Sequence, residues 1–406
     1  MNRRDLLKLL TAASVLVPGQ QLLAQKPLRV VVAGAGIVGA SIAWHLAKAG
    51  ALVTVIDKEG PATHASRGTF AWINATWAKQ PHSYHSLNQE SVSNWANLQQ
   101  ALNLPVRWGG SIEWFATEAR QNKLAEQIAE QASWGEAASM VNAEQLRAME
   151  PHIDFSGAQR AGYSANDGTV DPVMATKLLL RAAEKMGATV KYPCELTGVN
   201  RGSGRLTAVE TSLGSIRADR LVLATGASPD TCKRFADIDI PQRSTPGVIA
   251  ISAPTPRLVN RVIAAPGVHF HQRDDGRLVL GEQGGAPPNE AHAERLSNRP
   301  NQFPAPALAA EHAARILAVA KRFVPELPDV PIEQVNIGWR PLPLDGHPVL
   351  GASPARRDVY IALMHSGVSL APIVGQLTAH ELLNDAAVER LETFRPGRKF
   401  ENIKWY

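Results

Sequence analysis

The sequence predicts an α/β protein, with a doubly wound parallel sheet joined to a second, smaller mixed-sheet α+β domain. Three observations carry this. Residues 29–57 read RVVVAGAGIVGASIAWHLAKAGALVTVID, a strand, a turn, a helix and a second strand in succession. Two later runs, 220–227 and 359–363, again read as aliphatic strands followed by small-residue turns. Residues 231–334 differ: they are richer in proline and alternate in short runs, as the strands of a separate sheet do.

The first unit is the most informative. Val30-Val31-Val32 runs into Gly34-Ala35-Gly36-Ile37-Val38-Gly39, the pattern G-x-G-x-x-G. The first glycine allows a sharp turn off the strand. The second lets backbone approach a pyrophosphate, and the third lets helix and strand pack closely. The helix start offers free N–H groups and partial positive charge to phosphates. Residues 40–49 have helix-forming composition, and Gly50 ends them. The second strand closes on Asp57, where a carboxylate can accept ribose hydroxyls, with Lys58 beside it. This stretch is therefore expected to bind a dinucleotide through Gly34, Gly36, Ile37, Val38, Gly39, Asp57 and Lys58.

With 406 residues, 45% hydrophobic, the chain can bury two cores. Its 19% of charged residues excludes a disordered chain. The +5 charge falls to +3 without the first 24 residues, which hold Arg3, Arg4 and Lys8 against Asp5. No basic run remains, which argues against a nucleic-acid partner. Cys194 and Cys232 form no CxxC and no metal-type spacing, and no disulfide between them is predicted.

Residues 1–24 read as a targeting segment. Asn2-Arg3-Arg4-Asp5-Leu6-Leu7-Lys8 resembles the twin-arginine export motif. The apolar stretch 9–17 is too short for a stable membrane span, Pro18-Gly19 ends it, and Ala24 suits the last residue before cleavage. A periplasmic or otherwise exported protein is expected; a basic amphipathic N-terminus of a cytosolic enzyme is the alternative.

Helices are expected over 83–102, 118–132, 144–149, 173–186 and 306–324, and from 366 to 383. Asp171 and Pro172 suit the cap and first turn of the fourth. Residues 246–251 and 277–281 read as strands, with Asp274-Asp275-Gly276 as a hairpin turn.

Several stretches together resemble a known family. Thr63-His64-Ala65-Ser66 opens a small-residue loop after Asp57. Gly168-Thr169-Val170-Asp171-Pro172 precedes a helix, and Ala224-Thr225-Gly226-Ala227 ends a strand. Gly338-Trp339-Arg340-Pro341 continues to Asp345-Gly346-His347-Pro348, and His365-Ser366-Gly367 opens the last helix. In this order they resemble the D-amino-acid oxidase, glycine oxidase and sarcosine oxidase group of FAD flavoproteins, over about residues 27–384. That family's loop carries S-x-x-N-x-G; Ser66 matches, while Thr69 and Ala71 stand where the family often has Asn and Gly.

The resemblance implies an FAD-binding Rossmann-like domain from residues 27–85, 150–230 and 335–395. A substrate domain would be formed by 86–149 and 231–334, leaving 396–406 as a tail. It adds His64, Ala65, Ser66, Leu196, Thr225, Gly226, Ala227, Arg340, Ser366, Gly367, Val368 and Ser369 to the residues expected at the cofactor. Gly367 and its helix start would stabilise negative charge on the flavin; a plain helix cap by Ser366 is compatible with that. His64 stands where dimethylglycine and sarcosine dehydrogenases carry FAD covalently; the alternative is an ordinary polar contact.

The expected chemistry is oxidation of an amino acid or secondary amine: a hydride leaves the carbon bearing nitrogen, and the imine hydrolyses. Arg340 is expected to hold the substrate carboxylate with its guanidinium fork. It could instead be a structural arginine paired with Asp345. His269 and His271 share one strand face. Either they face the substrate or they sit on a solvated face; they have no third ligand for a metal. Val279 stands where sarcosine oxidases place a lysine that assists reaction with oxygen, which favours a different electron acceptor. Two other functions fit the sequence: a flavin-dependent 2-hydroxy-acid dehydrogenase, and an exported flavoprotein acting as a maturation or binding partner.

Overall fold

A computed structural model describes residues 26–282, 301–303 and 305–402. The expected export segment, residues 1–24, lies outside the described residues. Strand β1 (Arg29–Ala33), helix α1 (Ile37–Lys48) and strand β2 (Leu52–Ile56) form the expected unit. β1 and β2 run parallel, in register from Arg29 opposite Leu52 to Ala33 opposite Ile56. The side chains of β1 alternate between two cores. Val30 and Val32 join α1 on one face, and Val31 and Ala33 join a second cluster on the other.

The chain continues through β3 (Trp72–Ile73), α2 (His82–Leu102) and β4 (Val106–Trp108). A first excursion follows: β5 (Ser111–Glu113), α3 (Glu118–Ser133), β6 (Ala138–Asn142), α4 (Ala143–Met149) and β7 (Arg160–Ser164). The return comprises β8 (Gly168–Val170), α5 (Pro172–Lys185) and β9 (Thr189–Lys191). The Asp171 side chain caps α5, accepting the N–H groups of Val173 and Met174. A meander of β10 (Leu196–Gly202), β11 (Arg205–Thr211) and β12 (Gly214–Arg217) leads to β13 (Arg220–Leu223) and α6 (Pro229–Ala236).

The second excursion is β14 (Gln242–Pro254), β15 (Val262–Ala265), β16 (Val268–Gln272), β17 (Arg277–Gly281), α7 (Pro306–Lys321) and β18 (Ile332–Pro343). β19 (Val349–Ala352), β20 (Val359–Leu363) and α8 (Gly367–Asn384) return to the first domain.

The first domain holds a six-stranded sheet in the order β19-β20-β13-β1-β2-β9, parallel except where β19 meets β20. Strand order departs in opposite directions on the two sides of β1. The crevice beyond the carboxyl ends of the strands there is where such sheets bind ligands. The second domain is one mixed sheet of eight strands, β18-β14-β17-β16-β15-β5-β7-β6, over a core that includes Trp114, Phe270 and Phe323.

Packing moves the expected domain boundaries. Tyr84, Leu87, Trp95 and Leu98 of α2 lie in the same core as β1 and α1, so a boundary at 85 cuts a helix of the first domain. β7 belongs to the eight-stranded sheet, so the first excursion spans 111–164. β18 does too, pairing along β14, and the final return begins after Pro343 rather than at 335. Cys194 and Cys232 are both free and buried.

Candidate active site

A cavity of about 500 Å³ opens at the carboxyl ends of the parallel strands, within the size range of cofactor sites. Ala33, Ile56, Ala224 and Ala362, at or just past those strand ends, form its floor. Gly34, Gly36, Ile37 and Val38 form one wall, and Gly367 and Val368 of α8 approach the same space. α1 and α8 pack closely: a Cβ on Gly375 would lie 2.4 Å from Ser41 Oγ, and one on Gly367 would lie 3.2 Å from Val38 Cγ2. Two helix N-termini therefore meet at one cavity, a setting that favours anionic groups.

The three glycines do different work. A Cβ on Gly34 would stand 2.3 Å from Ala224 O, and φ there is +110°. A Cβ on Gly39 would stand 2.0 Å from Gly34 O, so this glycine serves packing and does not line the cavity. A Cβ on Gly36 would meet only Ser66 Oγ, at 3.1 Å. Gly36 thus keeps backbone open to the cavity, as a pyrophosphate requires. Asp57 lines the cavity, and its carboxylate is already engaged. Oδ2 accepts Ala35 N–H at 2.8 Å, while Oδ1 accepts Glu59 and Gly60 N–H, each at 2.9 Å. It shapes the glycine loop as well as lining the cavity.

Lys58, His64, Ala65, Ser66, Leu196, Thr225, Gly226 and Ala227 all line the cavity. Ser66 Oγ accepts the N–H of Ile37 at 3.0 Å, satisfying the first turn of α1. His64 Nε2 pairs with Glu59 Oε1 at 2.8 Å, leaving Nδ1 as the ring nitrogen outside that pair. Ala71 holds φ +63°, the left-handed conformation that a glycine adopts readily. Two expected contacts take other roles. Ser366 does not cap its helix; its Oγ lies 2.8 Å from Tyr84 OH. Ser369 Oγ accepts Asn74 N–H at 3.2 Å and donates to Trp72 O at 3.1 Å, which ties α8 to the 72–74 loop.

Trp339 and Pro341 of β18 line the cavity from the second domain, on either side of Arg340. A Cβ at Gly247 would lie 3.3 Å from Arg340 Nε and Nη2, so the missing side chain makes room for the guanidinium. Asp345 is not its partner. That carboxylate takes Arg398, with Nε at 2.7 Å and Nη2 at 3.0 Å. The charge of Arg340 is felt by two histidines. Burial, with Arg340 adding to it, pushes the His269 imidazole down to about 4. Burial, then Arg340 and Lys79, pushes His365 down to about 3. Both are neutral at ordinary pH.

The solvated-face reading of the two alternating histidines fails for His271. It is 2% exposed and pairs through Nε2 with Phe70 O at 3.1 Å. Its role is to hold the loop that carries Phe70. Among the described residues His269 Nε2 is buried without a partner, with its ring 6.2 Å from that of Trp72.

Sequence reasoning missed His365 as a wall residue, although it opens a quoted motif. It also missed Cys194, Arg234 and Met364 in the lining. Lys79 and Asp167, at the junction of the domains, carried no local signal beyond Asp167 preceding the Gly168 motif. Burial lowers Lys79 to about 8 against the attraction of Asp167, Glu136 and Glu113. Among the described residues no group of His, Cys, Asp or Glu could hold a metal ion, and no helix is long and apolar enough to cross a membrane.

A Rossmann-like sheet with a glycine loop, a cavity at two helix N-termini and a second domain over it define a dinucleotide-dependent oxidoreductase. The chain belongs to the DAO family of FAD dependent oxidoreductases, whose model matches residues 29–381. It is 24% identical over 377 residues to an opine oxidase subunit of Agrobacterium tumefaciens, covering 90% of this chain and 96% of that one. It is 29% identical over 198 residues to human mitochondrial dimethylglycine dehydrogenase, covering 48% of this chain and 23% of that protein. The fold matches glycine oxidase of Geobacillus kaustophilus with a TM-score of 0.81 at 22% identity, covering 92% of this chain and 100% of that one. The protein is an FAD-linked oxidoreductase. The open backbone at Gly36, the paired helix starts and Asp57 fit FAD.

Proposed function

We propose that the protein oxidises an amino acid or secondary amine that carries a carboxylate. Arg340, between the cavity-lining Trp339 and Pro341 of β18, supports this most directly. Bound FAD supplies the hydride acceptor. Arg340 takes the carboxylate through its planar fork and so fixes the carbon that loses hydride. His269 and His365, held neutral, add no competing charge beside that fork. The imine product leaves and hydrolyses to a carbonyl compound. Relatives named for opines, dimethylglycine and glycine lend support, since each name denotes an amine or amino acid.

Three finer readings belong to this proposal. The protein is exported through the twin-arginine route, which carries folded, cofactor-loaded proteins. FAD is attached through His64, whose Nδ1 lies outside the Glu59 pair. Electrons pass to an acceptor other than oxygen, because Val279 is apolar and 1% exposed.

The deciding experiment exposes purified holoenzyme, without oxygen, to matched amino acids, N-alkyl amino acids and 2-hydroxy acids. Loss of flavin absorbance with the nitrogen series supports the proposal. Bleaching by hydroxy acids alone overturns it in favour of a hydroxy-acid dehydrogenase. Acid precipitation tests attachment: yellow colour in the pellet is expected, and flavin entirely in the supernatant refutes the His64 link.

A further inference from the structure

We propose that Asp167 is the positioning residue of the substrate wall, gathering Trp72 and Thr76 from one domain and Ser111 and Ser164 from the other. It thereby fixes the 72–79 loop against His269. Asp167 is 1% exposed. Its Oδ2 accepts Trp72 Nε1 at 2.9 Å, Thr76 Oγ1 at 3.2 Å and Ser111 Oγ at 2.7 Å. Its Oδ1 accepts Ser164 Oγ at 3.3 Å. Ser111 and Ser164 begin and end paired strands of the eight-stranded sheet, whereas Trp72 lies on β3 beside the cofactor domain. One carboxylate therefore joins the two domains.

The segment it holds packs against His269 of the second domain and against α8. Trp72 meets His269 at a 78° interplanar angle. Its carbonyl and Asn74 N–H are hooked by Ser369, one residue past the cavity-lining Val368. Lys79 Nζ donates to Asn74 Oδ1 at 3.0 Å and to Thr76 O, so the loop also fixes the ammonium that acts on His365. The loop is thus held by Asp167 on one side and by the first turn of α8 on the other.

The anchor tolerates protonation. Burial raises Asp167 to about 6, against the pull of Ser111, Lys79, Trp72 and Thr76. The charged groups around it are Lys79 of the loop and Glu113 of β5, which Trp77 Nε1 engages. Glu136 adds to the field at Lys79 and lies 3.5 Å from His85 of α2. A proton on Asp167 relieves the cost of burying its charge, so the held segment keeps its place as pH falls.

The substrate class here rests on the amine-oxidation reading, but the anchor can be tested apart from it. Hydrogen exchange is measured on flavin-loaded wild type and Asp167→Asn across pH, corrected for intrinsic rates. Wild-type amides in 72–79 should be protected at pH 7.5 and stay protected as pH falls through about 6, because the closed segment holds the Asp167 proton more tightly than the opened one. In the variant they should exchange fast at every pH, while the 29–48 segment and flavin content stay unchanged. KM for a substrate that reduces the wild type should rise about tenfold with kcat little changed. Unchanged protection of 72–79 in the variant overturns the proposal, whatever the substrate is. If Asp167→Asn does not fold, Trp72→Phe and Ser111→Ala each remove one donor and should give a smaller loosening confined to the same segment; none in either refutes it. Failure of every amine to reduce wild-type flavin would count against the functional reading, and the exchange result would still decide the role of Asp167.

Discussion

The two walls of the cavity are built in opposite ways. The wall at Gly34–Val38 comes from one continuous stretch, and its chemistry is mostly backbone: open amides, absent side chains and a helix start. The wall toward Arg340 is made of side chains from distant positions, Trp339, Pro341 and His365, and the charge of Arg340 is felt at His269 and His365. A backbone wall binds what all family members share. A side-chain wall can change residue by residue, and substrate choice belongs there.

This comparison can be broken most sharply at the glycines. Gly39→Val places atoms where a Cβ alone would stand 2.0 Å from Gly34 O and 3.3 Å from the Ala224 Cβ. The expected result is insoluble or flavin-free protein, read by flavin-to-protein ratio and circular dichroism. Gly36→Ala should keep the fold and lose most flavin, because its Cβ meets only a serine hydroxyl. Equal damage from both changes would deny the division of labour among the glycines.

On the side-chain wall, Gly247→Val should crowd the Arg340 guanidinium, which lies 3.3 Å from the added Cβ. An increase of about tenfold in KM, with flavin retained, is expected in steady-state assays. A smaller effect belongs to pH. His271 falls from 6.5 to about 3 on folding, mainly through burial. The unfolded chain binds its proton first, so its contribution is full above about 6.5 and is lost as pH falls toward 3. Stability should fall across that window by up to about 1.4 kcal/mol per pH unit for this histidine, read as a falling melting temperature. His271→Gln should flatten the slope. Asp167, raised from 3.8 to about 6, acts with the opposite sign and offsets part of the loss between those values. Smallest of all, Ser66→Ala removes the acceptor for Ile37 N–H and should cost about 1 kcal/mol in thermal or denaturant unfolding.

The same contrast explains what could be read in advance. The glycine loop, β2 and its acid, the capped helix at Pro172 and the turn at Asp274 were legible because each depends on neighbours in sequence. Helix ends agreed to within about three residues for the same reason. Arg340 was legible as a motif, but its environment was not. Asp345, five residues on, goes to Arg398, and space at Arg340 comes from Gly247 on the paired strand. Asp167 could not be identified as an anchor because its donors come from four separate positions. The boundary at 85 failed because the amphipathic stripe of α2 does not say which core it enters.

The central claim is that Arg340 reads a carboxylate on the substrate. Anaerobic stopped-flow reduction of wild type and Arg340→Ala can be compared using an N-alkyl amino acid and the same amine without its carboxylate. The account predicts that wild type prefers the carboxylated substrate by about 100-fold or more. Arg340→Ala should keep its flavin and lose that preference. An undiminished preference in Arg340→Ala would place carboxylate recognition elsewhere and contradict the account.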